Sequence, residues 1–362
     1  MLFQNPSDLK PGMRHDRPSG IEKAMTKTPG SKKQGWIRHL AGAGVTVLCL
    51  YVMLRRVDIA EAVAAWRYFH WPWLVLGIAS VAMGYTFRIN RWSVILRAAG
   101  VSISFNKCAT PFLGSIALNN VLPLRLGDVL RALVFPKAMG ISRTDAAGSL
   151  VMERVMDLMT LLACLAIGLF AMQPFEIPAE IKASAISLSA AGSIVITMGV
   201  VFSTRLGGFF RRLSSGSHMG KTDGFAARLC VMISGLLLSF GAMSRPGVLS
   251  VLLLLSIPVW IGESGLFYFV LHGFGFDVTF FMALLVMSVA TLATLVPSSP
   301  GYVGPFHLAA FTVVSLAGGS SSLAGSFAVM VHLVLWTSTT AAGAAALWLQ
   351  PELLRAVRKK GR

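Results

Sequence analysis

Arg125, Asp128 and Arg131 stand three residues apart, and Glu153 and Asp157 stand four apart with Arg154 between them. On a helix, these spacings place each set on one face. Both sets fall between or within apolar stretches, where charge is costly and therefore pairs, faces a cavity, or does both. Two chemistries fit. The groups can neutralise one another and lock a hairpin against the next helix. Alternatively, they can line a polar cavity for a charged or hydroxylated head group, where the planar fork of Arg125 or Arg131 suits a phosphate. Asp128 would then keep the arginines from overbinding an anion, and Asn119 and Asn120 would add hydrogen-bonding capacity.

A second segment, "VPSSPGYVGPFH" (296–307), has no charge but supplies Ser298, Ser299, Gly301, Gly304 and His307. Glycines there can leave backbone N–H groups free to approach an anion. His332, alone in the last apolar stretch, reads as a packing residue. Glu263 is a further intramembrane acid, and Arg88 either pairs with it or snorkels to the surface. Cys49, Cys108, Cys164 and Cys230 are scattered, with no metal or redox spacing. There is no phosphate-binding loop and no metal-ligand cluster. The expectation is therefore a binding site with no catalytic residue, metal or cofactor.

These residues must be positioned by membrane helices. The chain is 55% hydrophobic and 13% charged, and its mean hydropathy is +0.69, which excludes a soluble domain. Several apolar stretches approach or exceed the ~18 residues of a bilayer-spanning helix. They cover about 37–54, 73–93, 104–122, 126–138, 145–171, 184–204, 246–271, 279–296, 303–317 and 323–349. Two pairs meet at breaks, one at Pro123 and Gly127, the other at Pro297 and Pro300. Broken helices at membrane depth survive only where protein or a water-filled cavity satisfies the freed backbone groups.

The chain also carries an internal duplication. Residues 85–105 align with 260–280, so Arg88 falls on Glu263; "LPLRLG" aligns with "VPSSPG", and "AGSLVM" with "AGSFAV". Each repeat then holds a span, a broken pair and a second span. The expected fold is an all-α polytopic membrane protein with two inverted repeats, each with a broken or re-entrant helical hairpin. Midplane sites between inverted repeats are a known transporter geometry.

The expected organisation is a disordered basic tail (1–36), a membrane domain (37–350) and a second basic tail (351–362). The repeats cover about 70–172 and 245–349. Six full spans with both termini cytoplasmic place most of the 32 Lys and Arg inside, including those of 88–107. Only Arg55, Arg56, Arg67 and Lys182 fall in outer segments, as the positive-inside rule requires. The +17 formal charge then reads as a surface for anionic lipid head groups rather than nucleic acid. Residues 225–243 read as an amphipathic helix on the cytoplasmic face, with an extra span as the alternative.

"NNVLPLRLGDVLRALVF", "ERVMDLMTLL" and "VPSSPGYVGPFHLAAF" resemble, in order and spacing, motifs of the lysylphosphatidylglycerol synthase membrane domain. That domain also occurs alone in proteins called flippase-like. The resemblance covers about 40–350. It maps an Asn-rich Pro-x-x-x-Gly-acid-x-x-Arg pattern onto Asn119, Asn120, Pro123, Gly127, Asp128 and Arg131. Glu-Arg-x-x-Asp falls on Glu153, Arg154 and Asp157, and Pro-Gly-x-x-Gly on Pro300, Gly301 and Gly304. The family more often has Glu where this chain has Asp128, and often an acid where this chain has Pro305-Phe306-His307. The resemblance implies a bacterial inner-membrane protein that moves a polar-headed lipid, such as an aminoacyl-phospholipid, glycolipid or hopanoid-type lipid. Membrane lipids, and a separate lipid-synthesis enzyme, are the implied partners. In two-part members a soluble domain makes the lipid, and these 362 residues leave no room for one. An integral-membrane transferase, or a non-transporting subunit of a lipid-synthesis complex, are the alternatives.

Overall fold

The computed structural model describes residues 31–171 and 244–353, with scattered residues of 183–209 and residues 241 and 355. The tail before residue 31, the segment 225–243 apart from residue 241, and the last seven residues lie outside the described residues. Of the expected span 184–204, only scattered positions are described, all of them helical. The regular secondary structure of the described residues is helical, with no strand among them.

The helices are α1 (Ser31–Leu54), α2 (Ile59–Arg67), α3 (Trp71–Ala98), α4 (Phe105–Val121), α5 (Leu126–Leu133) and α6 (Phe135–Met139). They continue with α7 (Arg143–Ala171), α8 (Pro246–Gly273), α9 (Phe280–Ala293), α10 (Pro305–Leu316) and α11 (Ser321–Leu349). α3, α7, α8 and α11 are each long and apolar enough to cross a membrane. α1 and α2 meet at 83°, so the expected outer loop 55–70 contains a short helix. Asp58 starts that helix by accepting from the N–H groups of Ala60 (2.8 Å) and Glu61 (3.2 Å), which satisfies donors that a helix start leaves open. The chain is a multi-pass, all-α membrane protein.

α3 and α8 form the central pair and run antiparallel. The His70 N–H donates to the Gly273 carbonyl at one end, and Arg91 reaches Ser256 at the other. Small residues set their approach: a Cβ on Gly262 would lie 2.6 Å from the Gly84 Cα. Lipid offers no hydrophobic drive to helix pairing, so such close backbone packing supplies the association energy. Ser80 adds a hydrogen bond to the Gly262 carbonyl (2.9 Å). The apolar core sits beside this pair, where Phe267 of α8 packs 6.0 Å from both Phe306 of α10 and Phe327 of α11.

The segment 88–107, expected on the inner side, is helical as far as Ala98, where α3 ends. Arg88 is buried and Arg91 is fully buried. Hydropathy falls at this end because the helix carries arginines, yet carboxylates on α7 and α8 neutralise them.

Candidate functional site between two helix breaks

α4 and α5 form a hairpin broken at Pro123–Arg125. Leu124 (φ 59) and Arg125 (φ 52) both adopt left-handed backbone, which costs about 1–2 kcal/mol for a non-glycine residue. The turn is held from behind. The Asn119 side-chain amide donates to Asp128 Oδ1 (2.9 Å), and its oxygen accepts from the Asp128 N–H (3.0 Å). Gly127 lets the arms touch, because a Cβ there would lie 1.9 Å from the Ser115 carbonyl oxygen. Asn120 faces α11, donating to Thr339 (3.0 Å) and Thr340 (2.9 Å).

α9 and α10 form the second hairpin, broken between Thr294 and Gly304. Gly301 (φ 75), Tyr302 (φ 62) and Gly304 (φ 103) take positive φ there. α1 clamps this tip. The Thr46 hydroxyl donates to the Val303 carbonyl (2.9 Å) and accepts from the Ser299 N–H (3.1 Å). Gly304 is needed for contact, since a Cβ there would lie 2.8 Å from the Thr46 Cα. His332 Nε2 donates to the Gly301 carbonyl (2.7 Å). His307 Nδ1 accepts from the Gly304 N–H (3.4 Å), and its ring lies 4.4 Å from that of His332.

The two breaks face each other across a cavity of about 760 Å³, walled also by Ala41, Gly42 and Ala43 of α1. Leu124, Arg125 and Tyr302, the non-glycine positive-φ residues among those described, all line it. Backbone strain of this kind concentrates at functional sites. A deeper pocket of about 150 Å³ shares the Asn119, Arg125, Thr294, Gly301 and Tyr302 wall. Arg125 thus stands between the two spaces. Its guanidinium donates to the Thr294 carbonyl (3.2 Å) and lies 5.2 Å from the centre of the Tyr302 ring.

Behind this wall runs an ion network. Arg131 pairs with Glu153 (2.9 Å), and Arg154 with Asp128 (3.0 Å). Arg91 pairs with Asp157, and Arg88 with Glu263 (2.8 Å) and Asp157 (3.6 Å). Arg131 is 1% exposed, its guanidinium held between the Trp92 and Phe112 rings at 5.1 and 4.7 Å.

The structure separates the expected site residues into groups. Asn119, Arg125, Ser298, Ser299 and Gly301, with Pro123, Pro297 and Pro300, line the larger cavity. Asn119, Asn120, Arg125, Arg154 and Gly301 line the inner pocket. Asp128, Arg131, Glu153 and Asp157 line neither and sit in the network behind. Gly127, Gly304 and His307 serve the hairpin turns. The one-face reading of Arg125, Asp128 and Arg131 is therefore corrected. Arg125 precedes α5 in left-handed backbone and reaches Thr294 and Tyr302 of the second break, whereas Asp128 and Arg131 pair with residues of α7. Arg88 pairs with Glu263 rather than snorkelling. Sequence reasoning missed Tyr302, Trp336, Thr291, Thr294, Tyr85 and the clamp of Thr46. Only their proximity in sequence to the breaks could have suggested Tyr302 and Thr294.

The model of the lysylphosphatidylglycerol synthase TM region matches residues 39–343. The chain belongs to that family. As a lysylphosphatidylglycerol synthase TM-region protein, it is 27% identical to the glycosyltransferase AglD of Haloferax volcanii over 82% of this chain and 51% of that protein. It thus spans about half the length of AglD. It is 24% identical to a UPF0104 membrane protein of Methanothermobacter thermautotrophicus, over 75% of this chain and 82% of that one. A UPF0104 membrane protein of Methanocaldococcus jannaschii is 25% identical over 59% and 85%, respectively. No solved structure matches the chain.

Proposed function

We propose that this protein is a lipid translocase, moving a polar-headed lipid across a bacterial inner membrane while the acyl chains stay in the bilayer. The observation that carries the reading is the 760 Å³ cavity between two facing helix breaks, lined by strained backbone and one arginine. Irregular backbone at membrane depth belongs at such a cavity. An inverted-repeat architecture with both termini cytoplasmic is part of the proposal. It is supported by the antiparallel α3–α8 pair, where the aligned residues Arg88 and Glu263 meet. Positions 84 and 259, one residue before the aligned stretches at the same shift, meet as well, since a Cβ on Gly84 would lie 3.0 Å from the Val259 carbonyl oxygen.

The test is purified protein in liposomes carrying a fluorescent lipid, with outer-leaflet quenching as the readout. Protein-dependent loss of the protected fraction, without a change in lipid mass, supports translocation. An unchanged protected fraction contradicts it. A second reading, an integral-membrane lipid transferase, draws on the name of the Haloferax relative. Against it, Asp128, Glu153, Asp157 and Glu263 are all engaged by arginines, so none stands ready as a base. A new lipid species in the same liposomes would favour this second reading. A chain that neither moves nor alters lipid would instead fit a subunit of a lipid-synthesis complex.

A further inference from the structure

The ion network balances by itself. Four arginines (Arg88, Arg91, Arg131, Arg154) meet four carboxylates (Asp128, Glu153, Asp157, Glu263). Arg125 is the cation left over: among the described residues it forms no ion pair, and its guanidinium meets the Thr294 carbonyl and the Tyr302 ring. The cavity system therefore carries one uncompensated positive charge, on the residue that faces both spaces. Unpaired charge at membrane depth is costly unless something charged is to meet it.

Two further observations narrow what meets it. In the larger cavity the Ser298 hydroxyl is buried and has no hydrogen-bond partner among the described residues. It is an unsatisfied donor in the wall it shares with Arg125. In the inner pocket the walls hold carboxamides and hydroxyls at Asn119, Asn120, Thr291, Thr294 and Thr339, with Trp336 beside them. Its carboxylate, Glu263, is already engaged by Arg88 at 2.8 Å, while a second cation, Arg154, lines the same space. That lining repels an ammonium group and suits a neutral, hydroxylated one. At about 150 Å³, the pocket is far larger than the ~10–15 Å³ that one water needs.

We propose that the site takes a lipid whose head group carries a single phosphodiester charge and a neutral, hydroxylated moiety. The phosphate meets Arg125 and Ser298, and the hydroxylated part enters the inner pocket. This rests on the translocase reading of the same cavity. It excludes aminoacylated head groups as the preferred cargo, because their ammonium would face Arg125 and Arg154.

The experiment is calorimetric titration of the full chain in a zwitterionic detergent with four short-chain probes. These are dioctanoyl phosphatidylglycerol, a short prenyl phosphohexose, dioctanoyl lysylphosphatidylglycerol and an uncharged dioctanoylglycerol glucoside. At least one of the first two is expected to bind about tenfold or more tighter than either of the last two. That difference corresponds to about 1.4 kcal/mol. Preference for the first probe identifies a glycerophospholipid source, and for the second a prenyl-phosphate source. Arg125→Gln should abolish the preference, while Arg97→Gln, an exposed arginine outside the site, should keep it. Melting temperatures check folding, and Arg125→Lys, which keeps the charge, should fall between native and Gln. Equal or tighter binding of the lysyl or uncharged probe overturns the inference. So does an undiminished preference in Arg125→Gln, or no binding of any probe. Selective binding without translocation in liposomes sinks the translocase reading instead, and translocation without selectivity sinks only this one.

Discussion

The two helix breaks solve one problem in opposite ways. Each separates two short helices beside a proline and must satisfy freed backbone groups. The first is built from side chains: Asn119 bridges its own turn, and Asp128 is tied through Arg154 to α7. The second is built from backbone, with Gly301 and Gly304 allowing His332 and Thr46 to reach its carbonyls and N–H groups. The charged break places Arg125 on the cavity wall, and the uncharged break brings glycine backbone and Ser298 close to it. The difference teaches that polarity at membrane depth has two separable uses, holding a turn and meeting a ligand. Within one hairpin, Arg131 is placed for the first, and the proposed function gives Arg125 the second.

That contrast can be broken by substitution. The largest effect is expected in the network behind the first break. Glu153→Ala leaves Arg131 buried with only its 3.9 Å contact to Asp128, at a cost of roughly 3–5 kcal/mol. Thermal unfolding in detergent should show it, and a melting temperature unchanged from native would remove Arg131 from the structural role. Next comes Gly127→Ala, whose new methyl would collide with the Ser115 carbonyl. Forcing the hairpin open should cost about 3 kcal/mol. Gly301→Ala in the second break should cost less, about 1–2 kcal/mol, mainly for its left-handed backbone, since its nearest neighbour, Trp336 Nε1, lies at 3.1 Å. A larger loss at Gly301 than at Gly127 would reverse the account of which break is packed more tightly.

Thr46→Ala sharpens the picture of the second break. It removes both hydrogen bonds to the tip, each worth about 0.5–1.5 kcal/mol net. The loss should be modest, and amide exchange should rise at Ser299 first. Unchanged protection there would mean that α1 does not clamp the tip.

These differences explain what was legible in the sequence. Pro123, Pro297 and Pro300 announced both breaks, because proline punctuates a helix whatever surrounds it. The intramembrane acids were legible for the same reason, since a carboxylate stands out in an apolar run. Arg88 was half legible, since the repeat alignment set it against Glu263 as one of two readings, but Arg91 was not, because an arginine near a helix end looks like a loop residue until Asp157 is seen against it. The division of labour between Arg125 and Arg131 was also hidden. Helical spacing predicts one face for both, and nothing in "PLRLG" marks Leu124 and Arg125 as left-handed. The clamp by Thr46 depends on a contact between residues more than 250 positions apart, beyond any local pattern.

The smallest expected effect on stability belongs to Arg125, and it carries the central claim. Arg125→Gln gives up one bond to a backbone carbonyl, about 1 kcal/mol, and should fold nearly as well as native. The decisive measurement is lipid translocation per folded molecule in liposomes, for Arg125→Gln beside Arg131→Lys. A lost charge-assisted contact is worth about 1.5–3 kcal/mol, so Arg125→Gln should slow movement by about tenfold or more. Arg131→Lys should lower the melting temperature and leave the rate per folded molecule near native. Native movement in Arg125→Gln, or a greater loss of rate per folded molecule in Arg131→Lys, would contradict the account.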